Sequence, residues 1–236
     1  CRCVCIVPKN VSVGKRFLLG LYGATITFGD GSYEDLYRWA IDEVKAGWNV
    51  TPGLNPYKEE GIKIIGFEIW EEIGVPDIII VPCGNGTLLF GLYKAFWELS
   101  KIGKTMKIPM FIGVQIKGAA PLAKALSTGA DFEVLSHAVD SIAEGIIATE
   151  SYSSPKARMA IKNSGGSIIE VTDEEIHTAL RLVISTESLI PEPTSAAAYA
   201  GLAKLGKITD KQVVVIQTAA GMKNLKEIME SYLRTT

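Results

Sequence analysis

The stretch Pro76-Asp77-Ile78-Ile79-Ile80-Val81-Pro82-Cys83-Gly84-Asn85-Gly86-Thr87 decides the fold class. Its apolar run has strand length and no polar alternation, as in a parallel strand covered on both faces. The run passes into a glycine-bearing turn, and residues 87–102 then read as a helix. Such a turn exposes successive backbone N–H groups at the positive end of a helix, a natural seat for a phosphate. Gly84 and Gly86 let the backbone approach an anion closely, and Thr87 can add a hydroxyl donor. A tight turn needing positive φ would call for the same glycines, so the segment alone leaves both readings open. It is not the three-glycine dinucleotide pattern, and no Gly-Lys-Ser/Thr follows to make a P-loop.

Outward from this segment, strand and helix patterns alternate. Residues 3–7, 24–28, 109–116, 167–171 and 211–217 read as further strands, the last of them buried. Helical patterns cover 13–22, 32–46, 57–73, 121–127, 172–185, 194–205 and 222–233, and another begins at Ser154-Pro155, with Pro at the first helical position. Ser32 with Asp35 and Thr172 with Glu175 have the spacing of helix-start boxes. In the helix at 57–73, Ile62, Ile65, Ile69 and Ile73 fall on one apolar stripe. Strands separated by helices imply right-handed crossovers and mostly parallel open sheets with helices on both faces. The fold class is therefore α/β. Thr51-Pro52-Gly53 and Asn55-Pro56 make an irregular crossing segment. It divides residues 1–49, part of a smaller α/β domain, from a large α/β domain at 50–236.

The composition suits an ordinary globular chain: 236 residues, 47% hydrophobic, 21% charged, net charge −2. There is no basic stripe for nucleic acid, and no apolar run reaches the about 18 residues of a membrane helix. No secretory leader is expected at the start, and the chain opens without an initiator Met inside the apolar run at 1–7. It is expected to belong to a longer, cytoplasmic protein. Cys1, Cys3 and Cys5 alternate, so on a strand they share one face. No His or Cys cluster elsewhere completes a metal site, and the simpler reading is small buried thiols.

Two further segments carry chemistry. Val213-Val214-Val215-Ile216-Gln217-Thr218-Ala219-Ala220-Gly221 again runs from a strand into a small-residue turn. In a parallel sheet this turn lies on the same edge as residues 84–87, where ligands of open α/β sheets bind. Thr218 could hydrogen-bond a ring nitrogen there, or cap its own helix. In Pro191-Glu192-Pro193-Thr194-Ser195-Ala196-Ala197-Ala198, an acid leads into a helix of very small residues suited to close packing on a sheet.

These pieces, with Asn55-Pro56-Tyr57-Lys58-Glu59-Glu60-Gly61-Ile62-Lys63, Gly113-Val114-Gln115 and Gly118-Ala119-Ala120-Pro121, resemble threonine synthases in content and order. Those enzymes belong to the tryptophan-synthase-β-like, fold type II group dependent on pyridoxal 5'-phosphate. The resemblance implies that Gly84, Asn85, Gly86 and Thr87 hold the cofactor phosphate and that Thr218 meets the pyridine nitrogen. It implies a lyase-type activity, O-phosphohomoserine to threonine plus phosphate, on a small amino-acid substrate in a homodimer. It also implies that the Schiff-base lysine lies upstream of the segment matching Cys1, as does the loop holding the substrate carboxylate. Lys15 and Lys63 match other family positions. The alternatives are a serine/threonine dehydratase, a cysteine synthase, or a non-catalytic phosphate- or cofactor-binding module. The short Gly84-Asn85-Gly86-Thr87 turn argues against dehydratases, where a longer run of glycines is usual. His137 and His177 are the only histidines, and with no nucleophile-elbow motif neither suggests a Ser-His-Asp site. His177 is expected on a solvated, charged helix face. Glu59-Glu60 and Asp173-Glu174-Glu175 read as helix-start charges.

Overall fold

The computed structural model describes residues 1–43, 48–51 and 55–233. The expected crossing residues 52–54 and the expected end of the second helix, residues 44–46, lie outside that set. Two separate sheets are present, each wholly parallel. The smaller pairs β1 (Val4–Pro8) with β2 (Thr25–Gly29), flanked by α1 (Val13–Leu21) and α2 (Tyr33–Glu43). The larger contains β3 (Ile78–Pro82), β4 (Met110–Ile116), β5 (Ser167–Val171) and β6 (Val213–Val215), in the order β5-β4-β3-β6.

Strand alternation sorts the core of the large sheet into two layers. Ile80, Ile112, Val114 and Ile116 face α7 (Asp173–Glu187), α8 (Pro193–Lys204) and α9 (Leu225–Leu233). Ile79, Val81 and Phe111 face the other way, onto α3 (Pro56–Ile73), α4 (Thr87–Lys101), α5 (Pro121–Thr128) and α6 (Ser154–Ser164). The sheet is covered on both faces, as the unbroken apolar run of β3 requires.

Small residues set the helix spacing. A Cβ on Gly66 of α3 would lie 2.5 Å from the Ala95 methyl of α4. A Cβ on Gly201 of α8 would lie 2.5 Å from Val114, and Ala196, Ala197 and Ala198 are fully buried beneath it. The α8 backbone thus lies close on the sheet. Helix starts follow their boxes. Ser32 and Asp35 exchange hydrogen bonds, with Ser32 N to Asp35 Oδ2 at 2.9 Å and Asp35 N to Ser32 Oγ at 3.1 Å. Thr172 and Glu175 do the same before α7.

Several expectations need correction. The apolar stripe of α3 is rotated: Ile62 and Ile69 pack inward with the buried Glu59 and Gly66, while Ile65 and Ile73 are exposed. Gly66 carries no side chain to mark the buried face, so the stripe read from isoleucines was displaced. β6 is three residues long and half-buried rather than a buried seven-residue strand, because it is the sheet's edge and pairs only with β3. The last helix is split into a 3-10 turn (Gly221–Asn224) and α9. His177 is buried, on the α7 face that also carries Ile176, Ala179 and Leu180. Cys1 and Cys3 are exposed and Cys5 half-buried, although Cys3 and Cys5 do share a face, with sulfurs 3.8 Å apart.

A Cβ on Gly166, the residue before β5, would run into the Phe111 carbonyl oxygen, leaving no room for a methyl. Gly166→Ala is expected to lower unfolding free energy by about 3 kcal/mol, as overpacking against backbone cannot relax. Thr172→Ala, which removes a cap only, should cost about 1 kcal/mol. Urea unfolding of both variants checks the ranking, and a milder effect at Gly166 than at Thr172 contradicts the packing described.

Candidate functional site

The connections of the large sheet locate the site. From β3 to β4 and β4 to β5 the chain crosses through α4 and then α5 and α6, all on one face. The return from β5 to β6 crosses through α7 and α8 on the other. After β3 the chain leaves toward α4, and after β6 toward α9, on opposite faces. The carboxyl ends of neighbouring β3 and β6 therefore flank a topological switch point, the crevice where open α/β sheets bind ligands. The turn at 84–87 and the turn at Thr218 are the two segments that leave those strand ends.

At the first turn, Gly86 has φ +85° and is the N-cap of α4, with no side chain capping the helix. The carbonyls of the turn are already engaged. Gly84 O accepts from Ser151 Oγ at 2.7 Å and from Gln115 Nε2 at 3.4 Å, and Asn85 O accepts from Ser153 N at 3.0 Å. Thr87 Oγ1 lies 3.0 Å from Ser153 Oγ, both buried. Among the described residues, no hydrogen bond takes the N–H of Gly84, Asn85 or Thr87. Asn85 Oδ1 and Ser154 Oγ are buried with no hydrogen-bond partner. An uncapped helix start, open N–H groups and orphaned polar atoms at one spot make a seat for an anion.

The backbone is closely confined here. A Cβ on Gly84 would lie 3.3 Å from Ile146 Cα, and one on Gly86 would lie 2.6 Å from the Ala157 methyl. Cys83, just before the turn, is fully enclosed; burial pushes its thiol up to about 12, although the Gly86 N–H favours the thiolate. Tyr33, from α2, approaches the Asn85 side chain; burial raises the phenol's pKa and the Asn85 contact lowers it in part.

At the second turn Thr218 does not cap a helix. Its Oγ1 donates to Glu192 Oε1 at 3.2 Å and lies 2.9 Å from Ser195 Oγ. Ser195 Oγ also accepts from the N–H groups of Thr218 at 2.9 Å and Ala219 at 3.1 Å. Glu192 is in turn paired with Lys223 at 2.8 Å. The run Glu192-Pro193-Thr194-Ser195 is therefore the scaffold of the Thr218 turn, more than an acid leading into a close-packed helix.

Other candidates are committed elsewhere. Lys15 Nζ meets Glu144 at 2.6 Å, and Lys63 Nζ meets Glu98 at 2.8 Å. Glu59 is buried and paired with Lys156 at 2.8 Å, more than a helix-start charge. His137 is exposed beside Ser136 and lines a cleft of about 480 Å3 that does not include the turn. Sequence reading missed Gln115, Ser151 and Ser153 as supports of the turn. Ser153 had one available signal, its place before Ser154-Pro155 at a helix start; Ser151 had none, since only the tertiary fold brings it beneath Gly84.

This architecture is that of the fold type II pyridoxal-phosphate enzymes. The chain belongs to the pyridoxal-phosphate dependent enzyme family, whose description matches residues 1–219. It is similar to the threonine synthase of Methanosarcina acetivorans, 34% identical over 96% of this chain and 58% of that protein. It is likewise similar to the threonine synthase of Methanocaldococcus jannaschii, 34% identical over 94% of this chain and 57% of that one. The chain thus spans under two thirds of these relatives' length. A fungal L-serine ammonia-lyase from Rhizomucor miehei shares the fold with a TM-score of 0.83 and 20% identity, covering 99% of this chain and 74% of its own. Maize serine racemase does so with a TM-score of 0.74 and 21% identity, covering 99% of this chain and 71% of its own. The family's cofactor is pyridoxal phosphate, and a phosphate fits the uncapped turn with its open donors.

Gly86→Val would block an anion, but positive φ and the Ala157 contact mean that it would also strain α6 packing. Gly84→Ala is the cleaner probe: its Cβ, 3.3 Å from Ile146 Cα, would push the turn out of place, and it is expected to weaken inorganic phosphate binding by about tenfold, the scale of misaligning one charge-assisted N–H bond. Isothermal titration with phosphate measures it. A second expectation concerns Cys83: at pH 8, far below its raised pKa, iodoacetamide should modify Cys1 and Cys3 and leave Cys83 unmodified on peptide mapping.

Proposed function

We propose that the complete protein is a threonine synthase, converting O-phosphohomoserine to threonine and phosphate. The observation that carries this reading is the uncapped turn at 84–87 beside the β3/β6 switch point, in a chain 34% identical to proteins named threonine synthase. Gly84, Asn85, Gly86 and Thr87 would hold the cofactor phosphate through backbone N–H groups and the Thr87 hydroxyl. Thr218 would meet the pyridine nitrogen. Its hydroxyl is oriented by Glu192 and Ser195, so the ring contact is a neutral side chain whose direction is set from behind. When bound, pyridoxal phosphate supplies the electron sink for elimination and replacement at the substrate's side chain. Enclosure of Cys83 and the Thr87–Ser153 pair keeps water from the back of the phosphate seat.

On this reading the lysine that would bond the cofactor lies upstream of the segment matching Cys1, as the resemblance implies. Within this span, Lys15 and Lys63 are both held in ion pairs, which supports assigning the role to neither. A homodimer and cytoplasmic residence belong to the same reading, on the biosynthetic chemistry alone. No helix among the described residues is long and apolar enough to cross a membrane.

Two measurements test the proposal. The complete protein should release phosphate from O-phosphohomoserine and form threonine, and ammonia release from serine or threonine instead would make it a dehydratase. Borohydride reduction of the chain at 1–236 with pyridoxal phosphate should give only scattered lysine labelling. One stoichiometric label would show that a lysine within this span does the bonding, with Lys15 and Lys63 the first to replace.

A further inference from the structure

Residues 149–153 join the small sheet to the phosphate turn, alongside the direct approach of Tyr33 to Asn85. At one end α2 grips this segment three times. Glu34, buried at 6% exposure, accepts from Thr149 N at 2.9 Å through Oε1. Tyr37 stacks flat on Tyr152, with ring centroids 3.8 Å apart and planes within 4°. Arg38 pairs with Glu150 at 2.5 Å. At its other end the same segment holds the turn from behind, through Ser151 Oγ to Gly84 O, Ser153 N to Asn85 O, and the Thr87–Ser153 hydroxyl contact. Side chains from α2 and donors for the turn alternate along five residues, so a shift at Thr149 moves both.

Glu34 stands out among the α2 contacts. Arg38 is more than half exposed and its pair is screened by solvent. Glu34 is a buried carboxylate facing a backbone N–H, an interaction that is stronger in a dry setting and costly to leave unmade. Removing the carboxylate would leave the Thr149 N–H without its partner and loosen the segment on its α2 side, where Leu135 N to Thr149 O at 2.9 Å would remain to hold that residue.

We propose that Glu34 is a positioning residue of the phosphate seat: it fixes Thr149, and through residues 149–153 it fixes the carbonyls of Gly84 and Asn85, so that the turn's N–H groups point at the anion. The inference rests on the assignment of residues 84–87 as that seat. Its consequence is that phosphate binding and docking of the small sheet onto the large one favour each other, since linkage is reciprocal.

The test uses the complete protein and three probes: pyridoxal phosphate, inorganic phosphate, and pyridoxal, which lacks the phosphate. Glu34→Ala is expected to weaken both phosphate-bearing probes by about tenfold, the scale of one charge-assisted hydrogen bond, and to leave pyridoxal affinity unchanged. Glu34→Gln, whose amide oxygen can still accept from Thr149 N, should restore most of the affinity. A merely structural role would weaken pyridoxal equally and would not distinguish Ala from Gln; that pattern overturns the proposal. Should Glu34→Ala not fold, Ser151→Ala breaks the same link at the turn and must show the same phosphate-selective loss; unchanged phosphate affinity there also overturns it. Gly84→Ala separates the two levels. If it leaves phosphate affinity intact, the seat assignment fails and this inference with it. If it weakens phosphate while Glu34→Ala does not, the seat stands and the positioning role alone is refuted.

Discussion

The Gly84 carbonyl oxygen accepts two hydrogen bonds from behind, from Ser151 and Gln115, and the rest of the site depends on that arrangement. A tight turn must send its carbonyls one way and its N–H groups the other. Here the protein satisfies the Gly84 carbonyl with side chains from β4 and residues 149–153 and the Asn85 carbonyl with the Ser153 N–H, while no hydrogen bond among the described residues takes the N–H of Gly84, Asn85 or Thr87 at the uncapped start of α4. The same backbone dipoles that would destabilise a buried helix end become the means of holding an anion.

That arrangement is possible only because the segment behind the turn is itself anchored. Residues 149–153 are neither helix nor strand, and on their own would have many conformations to lose on folding. Glu34, Tyr37 and Arg38 of α2 reduce that freedom from one side, and Ser153, at the start of α6, from the other. The second turn is built on the same plan. Thr218 is held by Ser195 and Glu192, which stand at the start of α8, and Lys223 balances the acid. Each of the two turns therefore has a supporting helix start from elsewhere in the chain. The alanine-rich α8 can serve one of them because its small residues let its backbone lie close against β3 and β4.

The two sheets touch through charged and aromatic contacts rather than a shared apolar core. Lys15 with Glu144, the close approach of Gly14 to the Lys223 backbone and the α2 contacts with residues 149–152 join the two parts, while the hydrophobic clusters belong to the large sheet. Junctions of that character resemble transient interfaces and permit relative motion of the parts they join.

The sequence by itself determined most of the elements and their alternation. The unbroken apolar run of β3, the boxes at Ser32 and Thr172, and the Ser154-Pro155 start are local patterns whose physics acts within a few residues. The glycine turn after β3 and the Thr218 turn were legible for the same reason, since a parallel sheet places all its strand ends on one edge. Tertiary structure alone decided which face of α3 is buried, that His177 lies inside, and that β6 is a short edge strand. Each depends on a neighbour distant in sequence: Ala95 against Gly66, the α8 packing over α7, and the absence of a strand beyond β6 in the described sheet. The supports of the turn, Gln115, Ser151 and Ser153, were beyond sequence reading for a related reason. A hydrogen bond to a backbone carbonyl 31 or 67 residues away needs a polar group in the right place, and no local pattern records that place.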